Sequence, residues 1–295
     1  MSSNVKAGAI MLLGVGTFSF MDAGMKVLSS GYPPLQIVSL RCLASLPLIL
    51  LWVGIRGGFR PVLRVRYGLH VLRSAIGVVM LASFIYGIRR LPLSEAYSIF
   101  FVAPLLITVF AALILGERIE WQRWAAVAIG LGGVLIVLRP TGAGVATLAG
   151  LAVIVGAVGY ALSAILVRII GRTDSTEGMV FWLMILMGAG ATLLALPQWR
   201  PVQPQHWMAI LAVGVSGFLG QWFITEAFRL GEASFLAPFE YSALVWGLAL
   251  DWTFWRALPE GRALAGAAVI IASGIYLIRR ERSARMPKMY AVRRR

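Results

Sequence analysis

Four ionisable side chains interrupt long apolar stretches of this 295-residue chain: Asp22, Arg41, Glu226 and Glu240. A charge in such a setting must be paired, hydrated or used. Asp22 and Arg41 each sit seven residues from the same end of consecutive stretches, about 10 Å deep at 1.5 Å per helical residue. Equal depth predicts an ion pair, which Lys26, four residues beyond Asp22, joins from above. An outer gate and ion coupling through Asp22 are the functional alternatives. Glu226 precedes Arg229 by three residues, which predicts a local contact. Glu240 follows Pro238 without a basic neighbour in sequence, so a binding role stands beside a structural one. Glu95 and Glu232 open helices, where the backbone dipole favours a carboxylate.

Aromatic residues form a second constellation. Phe18, Tyr160, Trp222, Tyr241 and Trp246 fall in the central thirds of their stretches, away from the helix ends where Trp and Tyr collect in membranes. Gln221 adds an amide whose donors need partners. With Tyr97 and Glu240 they predict a pocket with aromatic walls and few fixed charges, suited to zwitterionic or neutral solutes. For each ring, helix packing or lipid contact is the structural alternative. Phe100 and Phe101, with Tyr97, sit near a helix end as an outer gate or as belt anchors. Pro104 and Pro238 remove backbone donors, making hinges or static kinks; Pro47 interrupts a helix as well.

Nothing here assembles a catalytic or metal centre. His70 and His206 lie far apart near helix ends, and Cys42 is the only cysteine. No convergent set of carboxylates, histidines or hydroxyls falls at one depth. The expectation is a chain without enzyme activity, cofactor or metal.

The elements that hold these residues follow from composition. Hydrophobic residues make up 59% and charged residues 13% of the chain, against about 25% charged in soluble domains. Lipid must therefore solvate much of the surface. Runs of about 20 apolar residues can cross a bilayer, and ten are found: roughly 5–29, 34–55, 68–89, 93–115, 122–138, 146–170, 176–197, 206–230, 233–254 and 261–279. The first is too long for a signal peptide's apolar core and is expected to remain as a span. With the N-terminus inside, 19 of the 27 Lys and Arg face inward, 7 face outward and Arg41 lies within a span. This bias places both termini in the cytoplasm of a bacterial-type inner membrane. The net charge of +15 sits in connections and the tail, which points to a membrane surface rather than nucleic acid. Basic and apolar residues alternate between Arg56 and Arg73, as in a short interfacial helix or a solvated loop.

The halves echo each other. Gly14-Val15-Gly16-Thr17-Phe18 aligns with Gly156-Ala157-Val158-Gly159-Tyr160, and Ser94-Glu95-Ala96-Tyr97 with Gly231-Glu232-Ala233-Ser234. Gly133-Val134-Leu135-Ile136 aligns with Gly274-Ile275-Tyr276-Leu277. The nearly constant shift marks an internal repeat. Five spans per unit oblige the second copy to enter upside down. Repeat units at 5–140 and 146–280, with a basic tail at 281–295, are the expected domains.

With Glu95-Ala96 through Pro104 to Gly116-Glu117-Arg118, and Gly130-Leu131-Gly132-Gly133 after it, the chain resembles a ten-helix drug/metabolite transporter of the EamA type. The YddG-like amino-acid exporter branch is the one favoured. In the second half, Arg256-Ala257-Leu258-Pro259-Glu260 stands where the Gly-Glu pair is expected. The resemblance implies an all-α membrane protein of two inverted five-helix repeats. It also implies a cavity lined by spans 1, 3, 4, 6, 8 and 9, with spans 5 and 10 as scaffold. The implied function is export of amino acids, aromatic or otherwise apolar, and related metabolites by alternating access. Ten spans suffice for a monomer, with the solute and membrane lipid as partners. Import or exchange of nucleotide-linked or phosphorylated compounds remains an alternative, although Arg41 is the only basic residue placed well inside a span. An intramembrane enzyme or a non-transporting scaffold is the alternative of another class.

Overall fold

The computed structural model describes residues 3–55, 58–91, 93–138, 147–255 and 261–283. All regular structure among them is helical, because a backbone in lipid must satisfy its own polar groups. Span 1 is Ser3–Leu28, span 2 Pro34–Ile55 and span 3 Tyr67–Arg90. Span 4 consists of two helices, Leu93–Phe100 and Ala103–Leu115, and span 5 is Trp121–Leu138. Span 6 is Leu148–Ile170, span 7 Thr176–Ala195 and span 8 Trp207–Leu230. Span 9 starts as Ala233–Leu236, tightens to a 3₁₀ turn over Ala237–Tyr241 and continues as Ser242–Trp255. Span 10 is Gly261–Ser283. Seven of the ten are long and apolar enough to cross a bilayer by themselves. Spans 5 and 10 carry shorter apolar helices, and span 9 is divided.

Local chemistry sets the ends. Thr147 and Ser175 accept bonds from the N–H groups of Gly150 and Gly178 at the starts of spans 6 and 7, which serves donors that the helix leaves unpaired. Span 4 stops at Gly116, whose φ of 66° is left-handed and suits a residue without a Cβ.

The halves interlock pairwise. Span 1 packs along span 8, span 3 along span 6, span 2 along span 7 and span 5 along span 10, while spans 4 and 9 meet at their breaks. Exchanging each span for its counterpart five later maps this set of pairs onto itself. Each pair runs antiparallel. The Ser3 hydroxyl donates to the Leu230 carbonyl, Gln36 bonds Arg200, and the Ser273 hydroxyl reaches the Ala126 carbonyl. Gly87 lies on Ala149 and Val153, and Glu117 at the end of span 4 binds the start of span 9. For spans 2 and 7, 4 and 9, and 5 and 10, counterparts themselves oppose each other in direction, as an inverted repeat requires. The end of the bundle that carries Ser3 is called the near end below; its opposite is the far end.

Several details differ from the sequence reading. Pro47 lies inside an unbroken helix, whereas Pro104 and Pro238 adjoin true breaks. The basic segment before span 3 forms one helical turn, Arg60–Leu63, held by the Trp182 indole N–H on the Val62 carbonyl. Span 10 continues to Ser283, past the expected end at 279. The rest of the tail, Arg256–Glu260 and the Glu95 side chain lie outside the described residues.

Candidate functional site

Between the halves lies a cavity with about 1100 Å³ of space not filled by atoms, part of it continuous with solvent. Spans 1, 3, 4, 6, 8 and 9 line it, as expected, and spans 2 and 7 join them through Arg41, Leu183 and Met187. The lining is apolar and aromatic, with four charged side chains set into it: Asp22, Arg41, Arg73 and Glu240.

The two arginines share one wall. Arg41 is 2% exposed and Arg73 1% exposed. Gly217 of span 8 makes room for Arg41, since a Cβ there would stand 2.9 Å from its Nε. Arg41 donates through Nε to the Met21 sulfur at 3.1 Å and through Nη2 to the Gly217 carbonyl and Gln221 Oε1, both at 3.5 Å. Gln221 Nε2 donates to the Thr225 hydroxyl at 3.1 Å, and Arg73 Nη2 donates to the same oxygen at 3.3 Å. Arg73 also reaches Ser163 at 3.4 Å and the Met179 carbonyl at 3.2 Å. Arg41, Gln221, Thr225 and Arg73 thus form one polar rail along span 8. Among the described residues, neither arginine is within ion-pairing distance of a carboxylate.

The acids are held by tyrosines. Tyr97 of span 4 donates to Asp22 Oδ2 of span 1 at 2.9 Å, and Tyr160 of span 6 donates to Glu240 of span 9. Each half therefore ties its first span to its fourth by one tyrosine–carboxylate bond, with the roles of the two spans exchanged. Asp22 lies toward the far end, while Glu240 lies seven residues after Ala233, toward the near end.

Phe18, Tyr97, Tyr160, Gln221, Glu240, Phe100, Phe101 and Pro104 all line the cavity. Phe18 also approaches Arg41, with its ring centroid 5.8 Å from the guanidinium carbon. Other expectations are corrected. The Asp22–Arg41–Lys26 ion pair does not form. Span 8 packs on both span 1 and span 2, which make little contact with each other, and Lys26 turns to the carbonyls of Ile88 and Leu91. Trp222 packs at a tilt against Trp52, outside the lining. Trp246 is 37% exposed, with its indole N–H on the Leu12 carbonyl at 3.0 Å. Tyr241 is fully buried beside Phe101, against Gly130 of span 5. Pro238 is buried at the break in span 9 without lining the cavity. Arg73, six residues into span 3, joins Arg41 as a basic residue inside the bundle.

Three polar clusters lie near the near end. Glu117 receives the N–H groups of Ala233 and Ser234 at 3.0 and 3.1 Å and the Ser234 hydroxyl at 2.6 Å. The carboxylate at the start of span 9 is thus Glu117 of the other half, while Glu232 binds Arg123. Glu226 pairs with Arg229 at 3.0 Å, as its spacing predicts. The sequence reading missed the bond from buried His70 Nε2 to Asp174 Oδ2 at 2.8 Å. Burial raises the Asp174 carboxyl, but bonds from His70, Thr173 and the Arg66 N–H outweigh it and hold the group below its ordinary range. His206, at the far end, shares a 2.8 Å bond with the Tyr32 hydroxyl.

Known proteins match this architecture. The model of the EamA-like transporter family matches residues 6–139 and again residues 147–280. The pseudopaline exporter of Pseudomonas aeruginosa is 28% identical over 281 residues, covering 93% of this chain and 97% of that protein. A riboflavin transporter of Vibrio cholerae is 30% identical over 75% of this chain and 74% of its own length. An S-adenosylmethionine uptake transporter of Rickettsia prowazekii is 25% identical over 94% of each. A solved crystal structure superposes with a TM-score of 0.80 over 95% of this chain and 99% of its own, at 21% identity, a likeness of fold.

Proposed function

Because the chain belongs to the EamA-like transporter family, we propose that it carries amino acids and related zwitterionic metabolites through the cavity between its halves. The observation that carries this reading is the charge pattern of the cavity. Arg41 and Arg73 stand on one wall, Asp22 and Glu240 are held by tyrosines rather than by these arginines, and aromatic rings line the same cavity. Such a lining offers an anion site and a cation site to one solute, with apolar surface for its side chain. Catalysis would need a convergent nucleophile or acid–base set, whereas the relatives are all named as transporters.

The mechanism proposed is alternating access. Two units related by inversion have two equivalent ways to pack, one open at each end. The breaks at Phe101–Val102 and Ala237–Tyr241 put irregular backbone at corresponding positions of spans 4 and 9, where the halves meet. The Tyr97–Asp22 and Tyr160–Glu240 bonds serve as latches on the two sides of the bound solute. The distribution of Lys and Arg supports an inner-membrane protein with cytoplasmic termini, and export is the proposed direction. Repeat units at 5–140 and 146–280 are the moving parts, and one chain holds a whole cavity.

A second reading has its own support. Phe84, Tyr97 and Phe100 form a ring cluster, with the Phe84 centroid 6.2 and 5.1 Å from the other two. This cluster would accept a flat fused-ring solute such as the one named for the Vibrio relative.

The test is counterflow of labelled amino acids in liposomes at several imposed pH gradients. Saturable counterflow of an amino acid supports the proposal, and indifference to the gradient would make the protein a facilitator. Absence of flux for every amino acid, with flux of riboflavin, would favour the second reading.

A further inference from the structure

The polar rail carries more than a generic anion site. Buried guanidinium groups are costly unless a counter-charge meets them, yet among the described residues no carboxylate lies within ion-pairing distance of Arg41 or Arg73, and Asp22 acts on Arg41 only from further off. Their bonds, 3.1 to 3.5 Å long, go to a thioether, an amide, two backbone carbonyls and two hydroxyls. A guanidinium offers five N–H donors in a planar fork that fits a carboxylate.

The separation of the two groups is set by span 8. Arg41 binds Gln221 and Arg73 binds Thr225, one helical turn further along. That turn rises about 6 Å along the axis, so the two guanidiniums bind span 8 at levels about one helical turn apart. Asp22 and Glu240 belong to other spans lining the same cavity and form no ion pair with either arginine, although Asp22 is close enough to act on the Arg41 charge.

Resting on the carrier reading above, we propose that the preferred solute is an elongated zwitterion with two carboxylates. One carboxylate meets Arg41 and the other Arg73, and an amine faces Asp22 or Glu240. Two anionic groups then match two cations that have no ion-pair partner among the described residues. A solute with a single carboxylate satisfies only one of them.

Two eight-carbon amino acids test this directly. 2-Aminosuberate and 2-aminooctanoate share chain length and amine and differ in one terminal carboxylate. Calorimetric titration of the purified wild-type protein should give at least tenfold tighter binding for 2-aminosuberate. Aspartate, whose carboxylates are too close together to span both arginines, should lose most of that advantage. Arg73→Gln should bring the ratio of the two eight-carbon affinities close to one. Arg73→Lys should restore part of it, which a purely packing role for Arg73 does not predict. If 2-aminooctanoate binds as tightly as 2-aminosuberate to wild type, the two-carboxylate proposal is overturned while the carrier reading stands. If neither compound nor any other amino acid binds, both are overturned. The wild-type comparison decides the matter even if Arg73→Gln does not fold.

Discussion

At the scale of single residues, Asp22 and Asp174 make opposite predictions. Asp22 forms one bond, accepted from Tyr97, and an amide oxygen accepts it equally well. Asp22→Asn should therefore shift stability by less than about 1 kcal/mol, read as thermal unfolding in detergent. Uptake of an amine-bearing solute should fall tenfold or more, since the lost charge is the one offered to the amine. Poor production and early unfolding would instead assign Asp22 to holding the fold. Asp174 is the structural counterpart. Its carboxyl is held below its ordinary range chiefly by His70, against the upward push of burial. A depressed carboxylate stabilises the fold above its unfolded pKa, about 3.9. That contribution disappears as pH falls through the lower folded value. Unfolding temperature should thus drop further below about pH 4 as this contribution is lost, with that acid-side drop flattened in Asp174→Asn. An equal drop in the variant would exclude this pair as the cause. The sequence marks Asp22 as a candidate but hides the role of Asp174. A basic residue in the first two turns of a helix reads as a loop residue, so the sequence puts Arg73 and His70 at the interface. Depth along a helix also says nothing about direction around it, so Trp222 and Trp246 passed for cavity residues.

Among the elements, the divided spans 4 and 9 matter most, because their breaks adjoin the cavity and their ends are joined by Glu117. That carboxylate takes two backbone N–H groups and a hydroxyl at the start of span 9, which leaves span 9 dependent on the other half for its cap. Glu117→Ala leaves those donors unpaired and should cost about 1–3 kcal/mol, while Glu117→Gln, which keeps an acceptor, should lose less. Thermal unfolding of both variants checks this, and equal losses would show that charge rather than capping matters. The spans themselves were legible, since lipid demands long apolar runs and few other elements produce them. The breaks were not, because hydropathy is blind to one or two residues of irregular backbone. Pro104 and Pro238 signalled them, but Pro47 gave the same signal within a continuous helix. The expected Asp22–Arg41 pair failed for a related reason: neighbours in sequence are not neighbours in a bundle whose pairs form across the halves.

For the whole molecule, the account rests on a cavity between two inverted halves that opens alternately at each end. Phe84 lines it toward the far end and Ala164 toward the near end. In a Cys42→Ala background, a single cysteine at either position can be labelled by a membrane-impermeant maleimide applied to each side of oriented liposomes. The account predicts that Phe84→Cys reacts from the far side and Ala164→Cys from the near side, and that a saturating solute slows both. Equal labelling of either cysteine from both sides, unaffected by any amino acid, would contradict it.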